Sequence, residues 1–530
     1  MRLRTAILGM TRLIIKKNYK TILAKNKHFL YPYQEIGVQW LKKKEKTQKG
    51  GLLCDEMGLG KTIQIICLLI SNSLDRTLIL MPKSLINQWE SEIKKFSGDY
   101  FNVLVHHGLN RITEESLEKV SKPTIVLSTY GLVINRSVQS CCNTCGESIS
   151  IVKNKCGHRF CPECESECIC SNCFSEIDNP LLNINWDRVI LEECHIIRNK
   201  KSKMFKYVNK LKSNIRWGIT GTPVHNSIKD FISLCNFLRV SNDINSKNLD
   251  KIVSKVLIRR TKKEVLLYNQ NLKIPNLEIE IHKVMFNSEK ELNFYKKVKG
   301  DIKKELSILK QFDDFNMVKI LEMILRLRQA CIMPQLVING YQKKWNIDYP
   351  KWTGTNSKLD KLIKHIKTER CIVFYTYKEE MKYISKSLKD EHINLGIIDG
   401  SKSIEQRTVL IEKCQIDNSN NKDVVQILLI QINAGGTGLN LQMFSNVWFT
   451  SPSWNPSLEF QAIARCHRIG QKNNVKVKKL IMFNKLGTID ERIIDVQERK
   501  KEIISKVLPN NDFPPQKYKL SMRNAKSLLR

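Results

Sequence analysis

The segment Asp55-Glu-Met-Gly-Leu-Gly-Lys61-Thr62 follows the apolar stretch Leu52–Cys54 and precedes the apolar run Ile63–Ile70. A strand, a glycine-rich loop and a helix in this order can hold the phosphates of a nucleotide, because glycines let backbone amides approach phosphate oxygens. The Lys61 ammonium can neutralise the β- and γ-phosphates, and the Thr62 hydroxyl can bind Mg²⁺. The general pattern has a glycine six residues before the lysine, where this chain has Asp55. The segment predicts a nucleotide-binding lobe.

Acidic and basic residues that would complete such a site lie further along the chain. Glu192 and Glu193 follow the apolar stretch Arg188–Leu191, and acids at the carboxyl end of a parallel strand face the ligand crevice. One acid can hold Mg²⁺ while the other orients the attacking water, although an isolated acidic pair is usually a solvated turn. Arg465 and Arg468 are three residues apart, which predicts one helical face and a pair of arginine fingers. Ion pairing along that face is the alternative.

Short apolar segments alternate with amphipathic helices in two blocks, residues 31–240 and 356–500. This alternation predicts an α/β fold with two parallel sheets covered by helices. The candidate strands are Leu52–Cys54, Thr77–Met81, Thr124–Leu127, Arg188–Leu191, Arg216–Ile219, Cys371–Tyr375, Leu395–Ile398, Gln426–Ile430 and Asn446–Phe449.

The region between the two blocks, residues 241–355, is rich in Lys, Leu, Ile and Glu. Apolar residues have helical spacing in Ser288–Leu309 and Phe315–Arg328. Ser288 and Glu291 have the spacing of a capping box, which predicts that a helix begins there. We therefore expect helical elements between two lobes.

The charge balance predicts a polyanionic partner. The chain has 88 Lys and Arg against 52 Asp and Glu, a formal net charge of +36, and basic groups that meet phosphates release condensed counterions. An AT-rich coding genome would also enrich lysine. Residues 1–30 form a basic arm, for which a mitochondrial presequence is the alternative, and residues 501–530 form a basic tail. No apolar run approaches the ~18 residues that cross a bilayer, which excludes a membrane-spanning protein.

These residues resemble the Swi/Snf-type DNA-dependent ATPases of helicase superfamily 2, from Tyr31 to about Val496. The matching segments of the first block are Tyr31–Gly37, Asp55–Thr62, Met81–Trp89, Ser128–Tyr130, Glu192–His195 and Ile219–Asn226. Those further along are Leu257–Lys262, Leu327–Cys331, Ile398–Ser401 with Arg407, Asn433–Asn440, Ser453–Pro456 and Gln461–Gln471. The resemblance implies two RecA-like lobes that close over ATP and step along duplex DNA without routinely unwinding it.

The resemblance also implies roles for single residues. Catalysis is assigned to Glu193 as general base and to Arg465 and Arg468 as fingers. ATP and Mg²⁺ are assigned to Gln34, at the adenine-reading position, and to Gly58, Leu59, Gly60, Lys61, Thr62, Glu192 and Gly438. DNA is assigned to Lys83, Ser84, Thr129, Thr222, Arg407, Thr437, Asn440 and Trp454, for the last of which a core tryptophan is the alternative. Glu192 replaces the family's usual Asp, and Met333 replaces a frequent His.

Nine of the 17 cysteines lie between Cys141 and Cys173, which in a long chain favours metal ligands over disulfides. Eight ligands follow one another in C3HC4 order, namely Cys142, Cys145, Cys156, His158, Cys161, Cys164, Cys170 and Cys173. Two tetrahedral Zn²⁺ sites need eight such ligands. The spacing resembles a RING finger, so residues 141–175 predict a zinc-binding insertion. Two roles of this insertion stay open. The zinc ions can simply stabilise its fold, or the insertion can act in ubiquitin ligation together with a conjugating enzyme.

Together these features predict an ATP-dependent translocase or remodeller of double-stranded DNA with ATP, Mg²⁺ and two Zn²⁺. Alternatives are a DNA- or chromatin-binding scaffold with weak ATPase activity and a strand-separating helicase. The expected partners are duplex DNA and, beyond it, nucleosomes or transcription and repair complexes. The expected location is the nucleus, or a viral replication site or virion.

Overall fold

A computed structural model describes residues 18–107, 112–118, 122–134, 138–139, 150–153, 159–160, 179–225, 227–240, 244, 248–269, 272, 274–311, 317–415, 424–435, 439–485 and 487–507. The chain forms two compact units, which divide between Arg260 and Thr261 apart from two loops of three residues. The strands, numbered along the chain, are β1 Gly50–Leu53, β2 Arg76–Met81, β3 Asn102–His106, β4 Thr124–Thr129, β5 Val138–Gln139, β6 Ser150–Lys153, β7 Arg159–Phe160, β8 Asn185–Glu192, β9 Lys212–Ile219, β10 Leu257–Ile258, β11 Leu277–Val284, β12 Cys371–Tyr375, β13 Leu395–Ile398, β14 Ile427–Gln431, β15 Asn446–Phe449 and β16 Val475–Met482.

A parallel sheet of seven strands forms the centre of the first unit, in the order β10-β1-β9-β8-β2-β4-β3. The described helices of this unit are Tyr19–Lys25, Pro32–Gln48, Lys61–Ser71, Ile86–Ser97, Glu114–Glu118, Tyr130–Val133, Pro180–Asn183, Lys203–Lys210, Ile228–Phe237 and Leu249–Val256. Parallel strands end at one edge, so the loops after β1, β9 and β8 are neighbours and can share one ligand.

Apolar side chains bury both faces of this sheet. In β2 the residues Thr77–Met81 are all buried, and the helices Lys61–Ser71 and Ile86–Ser97 cover the sheet with apolar faces. Burying each large aliphatic side chain stabilises the fold by roughly 1.5–3 kcal/mol. The glycine-rich loop is thereby carried on rigid elements.

A buried ion pair crosses this core between the helix Pro32–Gln48 and β8. The Arg188 Nε donates to the Glu45 carboxylate at 2.9 Å, and the Trp217 indole donates to the same carboxylate at 2.7 Å. Both charged side chains are almost fully buried. The pair holds a helix to the sheet and contacts none of the residues assigned to the nucleotide.

A second parallel sheet, of six strands in the order β11-β16-β15-β12-β14-β13, forms the centre of the second unit. Its described helices are Lys262–Tyr268, Glu289–Gln311, Met317–Ile332, Pro334–Trp345, Ser357–Ile366, Lys378–Lys389, Ile404–Gln415, Ile432–Gly435, Pro456–Ile463 and Ile489–Val507. The helices Glu289–Gln311 and Met317–Ile332 share one apolar core with strand residues such as Val373 and Trp448. They therefore pack against the second sheet.

The nine strand predictions are confirmed, with differences only at their ends. The region predicted to be helical also contains β10 and β11. The two helices predicted there are confirmed, and Ser288 Oγ accepts the Glu291 amide at 3.3 Å. The Glu291 carboxylate accepts the Ser357 amide at 3.1 Å and the Thr355 hydroxyl at 2.8 Å.

Strands β6 and β7 of the cysteine-rich insertion form a small antiparallel sheet with β5, which lies just before the insertion. Its eight predicted zinc ligands lie outside the residues that the structure describes. Within the described residues, no group of three or more His, Cys, Asp or Glu side chains could hold a metal. No helix in the described part of the chain is both long and apolar enough to cross a membrane.

Candidate nucleotide-binding site

The glycine-rich loop leads from β1 into the helix Lys61–Ser71. Gly58 and Gly60 have φ angles of +88° and +74°, in the left-handed region that favours glycine. A side chain at Gly60 would lie 2.5 Å from the Gln34 Nε2. The two glycines therefore provide both the turn and the close approach that phosphate binding needs.

The start of this helix is open to an anion. The Gly60 N-cap provides no side-chain hydrogen bond, and the first turn contains no acid. The amides of a first helical turn lack partners within the helix and carry the positive end of its dipole. The Lys61 Nζ donates to the Asp55 carbonyl at 2.9 Å, which keeps the ammonium over the loop. Phosphate oxygens can bind to this combination of amides and ammonium.

Two acids, Glu192 at the end of β8 and Glu193 directly after it, lie at the same edge of the sheet as the glycine-rich loop. Glu192 is buried, and the Tyr130 hydroxyl donates to its backbone carbonyl at 2.8 Å. Glu193 has a φ of +53°, which costs a non-glycine residue on the order of 1–3 kcal/mol. Its carboxylate accepts the Thr220 hydroxyl at 3.1 Å, and His195 Nδ1 lies 3.1 Å from the same oxygen. The strained backbone and the two neighbours fix the direction of the Glu193 carboxylate.

Cys194 stands between this acid and His195 and is fully buried. Burial raises the pKa of its thiol, so the side chain is neutral at physiological pH. A Cβ at Gly218 of β9 would lie 3.0 Å from the Cys194 sulfur. The space between β8 and β9 therefore requires small residues, and Cys194 acts as a packing residue.

The predicted adenine-reading residue, Gln34, lies against the loop. Its Oε1 accepts the Tyr31 amide at 3.0 Å, and its Nε2 donates to the Tyr33 hydroxyl at 3.2 Å. Burial, followed by the charge of Asp55, raises the pKa of the Tyr33 hydroxyl. The structure thus brings the Gln34 side chain next to Gly60.

A residue that sequence reasoning did not select, Arg260, completes this side of the site. It follows β10 and binds the buried Asp55 carboxylate, with its amide at 3.1 Å and its Nε at 2.9 Å. The unusual acid in place of glycine was the signal that a cation should face it. Its partner could not be identified from the sequence because 205 positions separate the two residues.

The predicted DNA contacts of the first unit share the sheet edge. Lys83 and Ser84 lie in a single turn after β2, Thr129 ends β4, and Thr222 follows β9. Lys83 is exposed, and the Thr222 amide donates to the Thr220 hydroxyl at 3.2 Å. The structure brings these side chains to the edge that also carries the phosphate loop.

The predicted helical placement of Arg465 and Arg468 is wrong. The helix Pro456–Ile463 ends before them, and other residues bond to backbone carbonyls of the segment that follows. The Leu441 amide donates to the Arg465 carbonyl at 3.1 Å, and the Gln471 side chain donates to the Cys466 carbonyl at 3.3 Å. Arg465 lies in the turn that follows the helix, and Arg468 lies in the bend after that turn.

The remaining predicted DNA residues are in the second unit. Arg407 donates to the Asp399 carbonyl at 2.8 Å, Asn440 is exposed, and Thr437 lies outside the described residues, as does Gly438 of the nucleotide set. Trp454 is half-buried against the apolar core, and the Arg328 guanidinium lies 5.8 Å from its ring centre. Both the DNA and the core interpretation of Trp454 stay open.

Comparison with known proteins gives matches along most of the chain. The family described as the SNF2-related domain matches residues 33–336, which is 304 of 530 residues, and the helicase conserved C-terminal domain matches residues 354–470. An uncharacterized ATP-dependent helicase of Mycoplasma genitalium is 28% identical over 90% of this chain and 42% of its own length.

Two further relatives differ in size. A probable global transactivator of Orgyia pseudotsugata multicapsid polyhedrosis virus is 26% identical over 90% of this chain and 91% of its own length. The ISWI chromatin-remodeling complex ATPase of Saccharomyces cerevisiae is 26% identical over 91% of this chain and 41% of its own length. The chain thus spans less than half of the Mycoplasma and yeast relatives.

Proposed function

Because the chain belongs to the SNF2-related family, we propose that it hydrolyses ATP when it is bound to double-stranded DNA and that hydrolysis drives its movement along the duplex. The observation that carries the proposal is the edge where β1, β9 and β8 end. There an open helix start with Lys61 shares a sheet edge with the Glu193 carboxylate, which Thr220 and His195 hold. We do not expect this movement to separate the two DNA strands.

The residues of this edge suit a magnesium-bound triphosphate. Gln34 would contact the adenine, while the amides of Gly58, Leu59 and Gly60 and the Lys61 ammonium would contact the phosphates. The ligand residues for Mg²⁺ would be Thr62 and Glu192, and the bound ion neutralises phosphate charge. Gly438 is proposed as a further nucleotide contact, from its position in the family's motif.

Hydrolysis then needs one proton acceptor and several cations. Glu193 would accept a proton from water as the water oxygen bonds to the γ-phosphorus and the bond to the β,γ-bridging oxygen breaks. Lys61 would neutralise charge on the phosphates. Arg465 and Arg468 are proposed to stabilise the charge on the transferred phosphoryl group.

Duplex DNA is the proposed track. The formal charge of +36 favours a polyanion, and Lys83, Ser84, Thr129 and Thr222 lie at the edge of the first sheet that also carries the nucleotide loop. Arg407, Thr437, Asn440 and Trp454 are the proposed contacts of the second unit. The logarithm of the binding constant should fall by about 0.9 per neutralised phosphate for each unit of log salt. Nucleosomes or transcription and repair complexes are the proposed wider partners.

We further propose that residues 141–175 bind two structural Zn²⁺ ions. The support is the order and spacing of eight ligand residues, since zinc takes four such ligands per site. Ubiquitin ligation with a conjugating enzyme is a second possible role of this insertion. Elemental analysis of the folded, reduced protein should give about two zinc ions per chain, and a value near zero would contradict the proposal.

The deciding experiment measures phosphate release from ATP with and without duplex DNA. We expect strong stimulation by the duplex, and Lys61→Ala should abolish it while the protein stays folded. The matched control is Lys46→Ala, an exposed lysine on the helix Pro32–Gln48, which should keep full activity. A triplex-displacement assay then tests translocation, and a strand-separation assay should be negative.

The outcomes separate the candidate functions. Basal hydrolysis that duplex DNA does not stimulate, combined with tight DNA binding, would favour a scaffold over a translocase. Efficient strand separation would favour a helicase. Activity that survives in Lys61→Ala would remove the loop from the mechanism altogether.

A further inference from the structure

The first residue of the phosphate loop is tied to a distant segment of the first unit. Asp55 is fully buried, and its Oδ1 accepts the Arg260 amide at 3.1 Å and the Arg260 Nε at 2.9 Å. Its Oδ2 accepts an Nη2 hydrogen bond from Arg260 and the Gln64 Nε2 at 3.0 Å. The carboxylate thus has two partners from beyond the loop: Arg260, which follows β10, and Gln64, on the helix Lys61–Ser71.

The same guanidinium reaches the segment that would read adenine. Its Nη1 donates to the Tyr33 carbonyl, its Nη2 also donates to the Gln64 Oε1 at 2.8 Å, and it lies 5.4 Å from the centre of the Tyr33 ring. The Glu56 amide donates to the Arg260 carbonyl at 2.9 Å. A planar group with five fixed donors can join three segments in one geometry, which a lysine cannot do.

Gly37 gives an independent sign that the chain is built around this guanidinium. A Cβ at Gly37 would lie 2.0 Å from the Gln64 Oε1 and 2.6 Å from the Arg260 Nη2. Gly37 has no left-handed backbone that would call for glycine. A side chain at Gly37 would therefore have to displace the ends of the Gln64 and Arg260 side chains from the positions in which they bind each other.

We propose that Arg260 is a positioning residue that fixes the adenine-reading segment against the phosphate loop and thereby sets the preference for ATP over other nucleoside triphosphates. The inference rests on the proposed ATPase function. Tyr33, whose carbonyl Arg260 holds, directly precedes Gln34, and Gln34 packs against Gly60 of the loop. A base contact and a phosphate contact discriminate between nucleotides only if the distance between them is fixed.

The test uses a substitution that makes the loop more typical. Asp55→Gly restores the glycine of the general phosphate-loop pattern but removes the anchor of Arg260. We expect Asp55→Gly and Arg260→Gln each to raise KM for ATP by roughly tenfold, with a smaller change in kcat, because uniform binding is lost. The ratio of kcat/KM for ATP to that for GTP should fall by roughly tenfold.

A double variant and a matched control exclude a purely structural effect. Combining Asp55→Gly with Arg260→Gln should add little to either single change, because both break the same contact. Arg188→Gln is the control, since it breaks another buried ion pair of the same unit, with Glu45. We expect Arg188→Gln to lower Tm about as much as Asp55→Gly and Arg260→Gln do. The ratio of kcat/KM for ATP to that for GTP should stay unchanged.

An unchanged nucleotide ratio in both Asp55→Gly and Arg260→Gln would overturn the inference, as would the same loss of ratio in Arg188→Gln. If the wild-type protein proves not to hydrolyse ATP, the proposed function fails while the inference is still measurable. Equilibrium binding of fluorescent ATP and GTP analogues to the wild type and the same four variants then gives the ratio directly. A preference for ATP that Arg260→Gln retains would again contradict the inference.

Discussion

The turns that follow β1 and β12, each a strand with a neighbour on both sides, differ in what neutralises the start of the next helix. After β1, the helix Lys61–Ser71 has no side-chain cap and no acid in its first turn. After β12, the helix Lys378–Lys389 begins with a capping box. There the Glu380 carboxylate accepts the amides of Thr376 and Tyr377, both at 3.0 Å.

This difference shows that a parallel strand followed by a helix does not by itself make a phosphate site. A helix start carries roughly half a positive charge that favours an anion. In the second unit the protein supplies that anion itself through the buried Glu380. In the first unit, neither the N-cap nor the first turn of the helix Lys61–Ser71 supplies an anion, so an anionic ligand can bind there. If the second unit takes part in hydrolysis, its contribution must come from other groups, and Arg465 and Arg468 are the proposed ones.

The largest expected effect tests that division of roles. Arg468→Ala should lower the DNA-stimulated ATPase rate by about 10³–10⁵-fold, the range for loss of an arginine finger. ATP binding, measured at equilibrium, should change much less. Single-turnover phosphate release is the appropriate measurement because it isolates the chemical step.

A second arginine of the same unit provides the control for this substitution. Arg326 bonds to Gln329 at 3.0 Å and forms an ion pair with Glu322 at 3.4 Å, and it has no proposed role in hydrolysis. Arg326→Ala should keep the ATPase rate within a few fold of the wild type. Near-normal hydrolysis by a folded Arg468→Ala protein would remove the finger assignment.

The next effect concerns the acid of the first unit. Glu193→Gln should lower the rate by roughly 10²–10⁴-fold, as expected for loss of a general base. The amide can still accept the Thr220 hydroxyl, so the free energy of unfolding should change little. A urea titration beside the rate measurement separates the two readouts. A rate loss that merely followed a loss of stability would argue against a catalytic Glu193.

The sequence was most informative where apolar runs had clear ends. The limits of β12, β13 and β15 were predicted to the residue, since polar residues flank each apolar run. β11 was missed because Leu277–Val284 alternates charged and apolar residues, and as an edge strand it is mostly exposed. β10 has only two residues and gives no periodic signal.

The site was predicted from local motifs, and its remaining parts depend on long-range contacts. Lys61 and Glu193 lie in recognisable segments, which the fold brings to one sheet edge. Arg260 was missed because its partner is 205 residues away. The turn that contains Arg465 could not be foreseen because it depends on a hydrogen bond from Leu441, on a separate segment.

A smaller effect is expected on stability when the acceptor at the start of the helix Lys378–Lys389 is removed. Glu380→Ala should lower the free energy of unfolding by about 1–3 kcal/mol, because it leaves the amides of Thr376 and Tyr377 without their acceptor. Urea unfolding measures this loss. Glu379→Ala, at the preceding and more exposed position of the same helix, should cost much less. Equal losses in the two variants would mean that the capping contact contributes nothing.

The smallest expected effect is a pH dependence that belongs to Glu380. Burial raises the pKa of this carboxyl above its ordinary value of 4.5, while hydrogen bonds from Thr450, Tyr377 and Thr376 and the charge of Lys358 partly oppose the shift. The folded state therefore binds the proton more tightly than the unfolded chain, and the free energy of unfolding rises as pH falls through the folded pKa towards 4.5. Glu380→Gln removes this titration but keeps an acceptor for the two amides. The wild type should gain stability relative to Glu380→Gln between neutral pH and about pH 4.5, and a pH-independent difference would show that Glu380 does not titrate in this range.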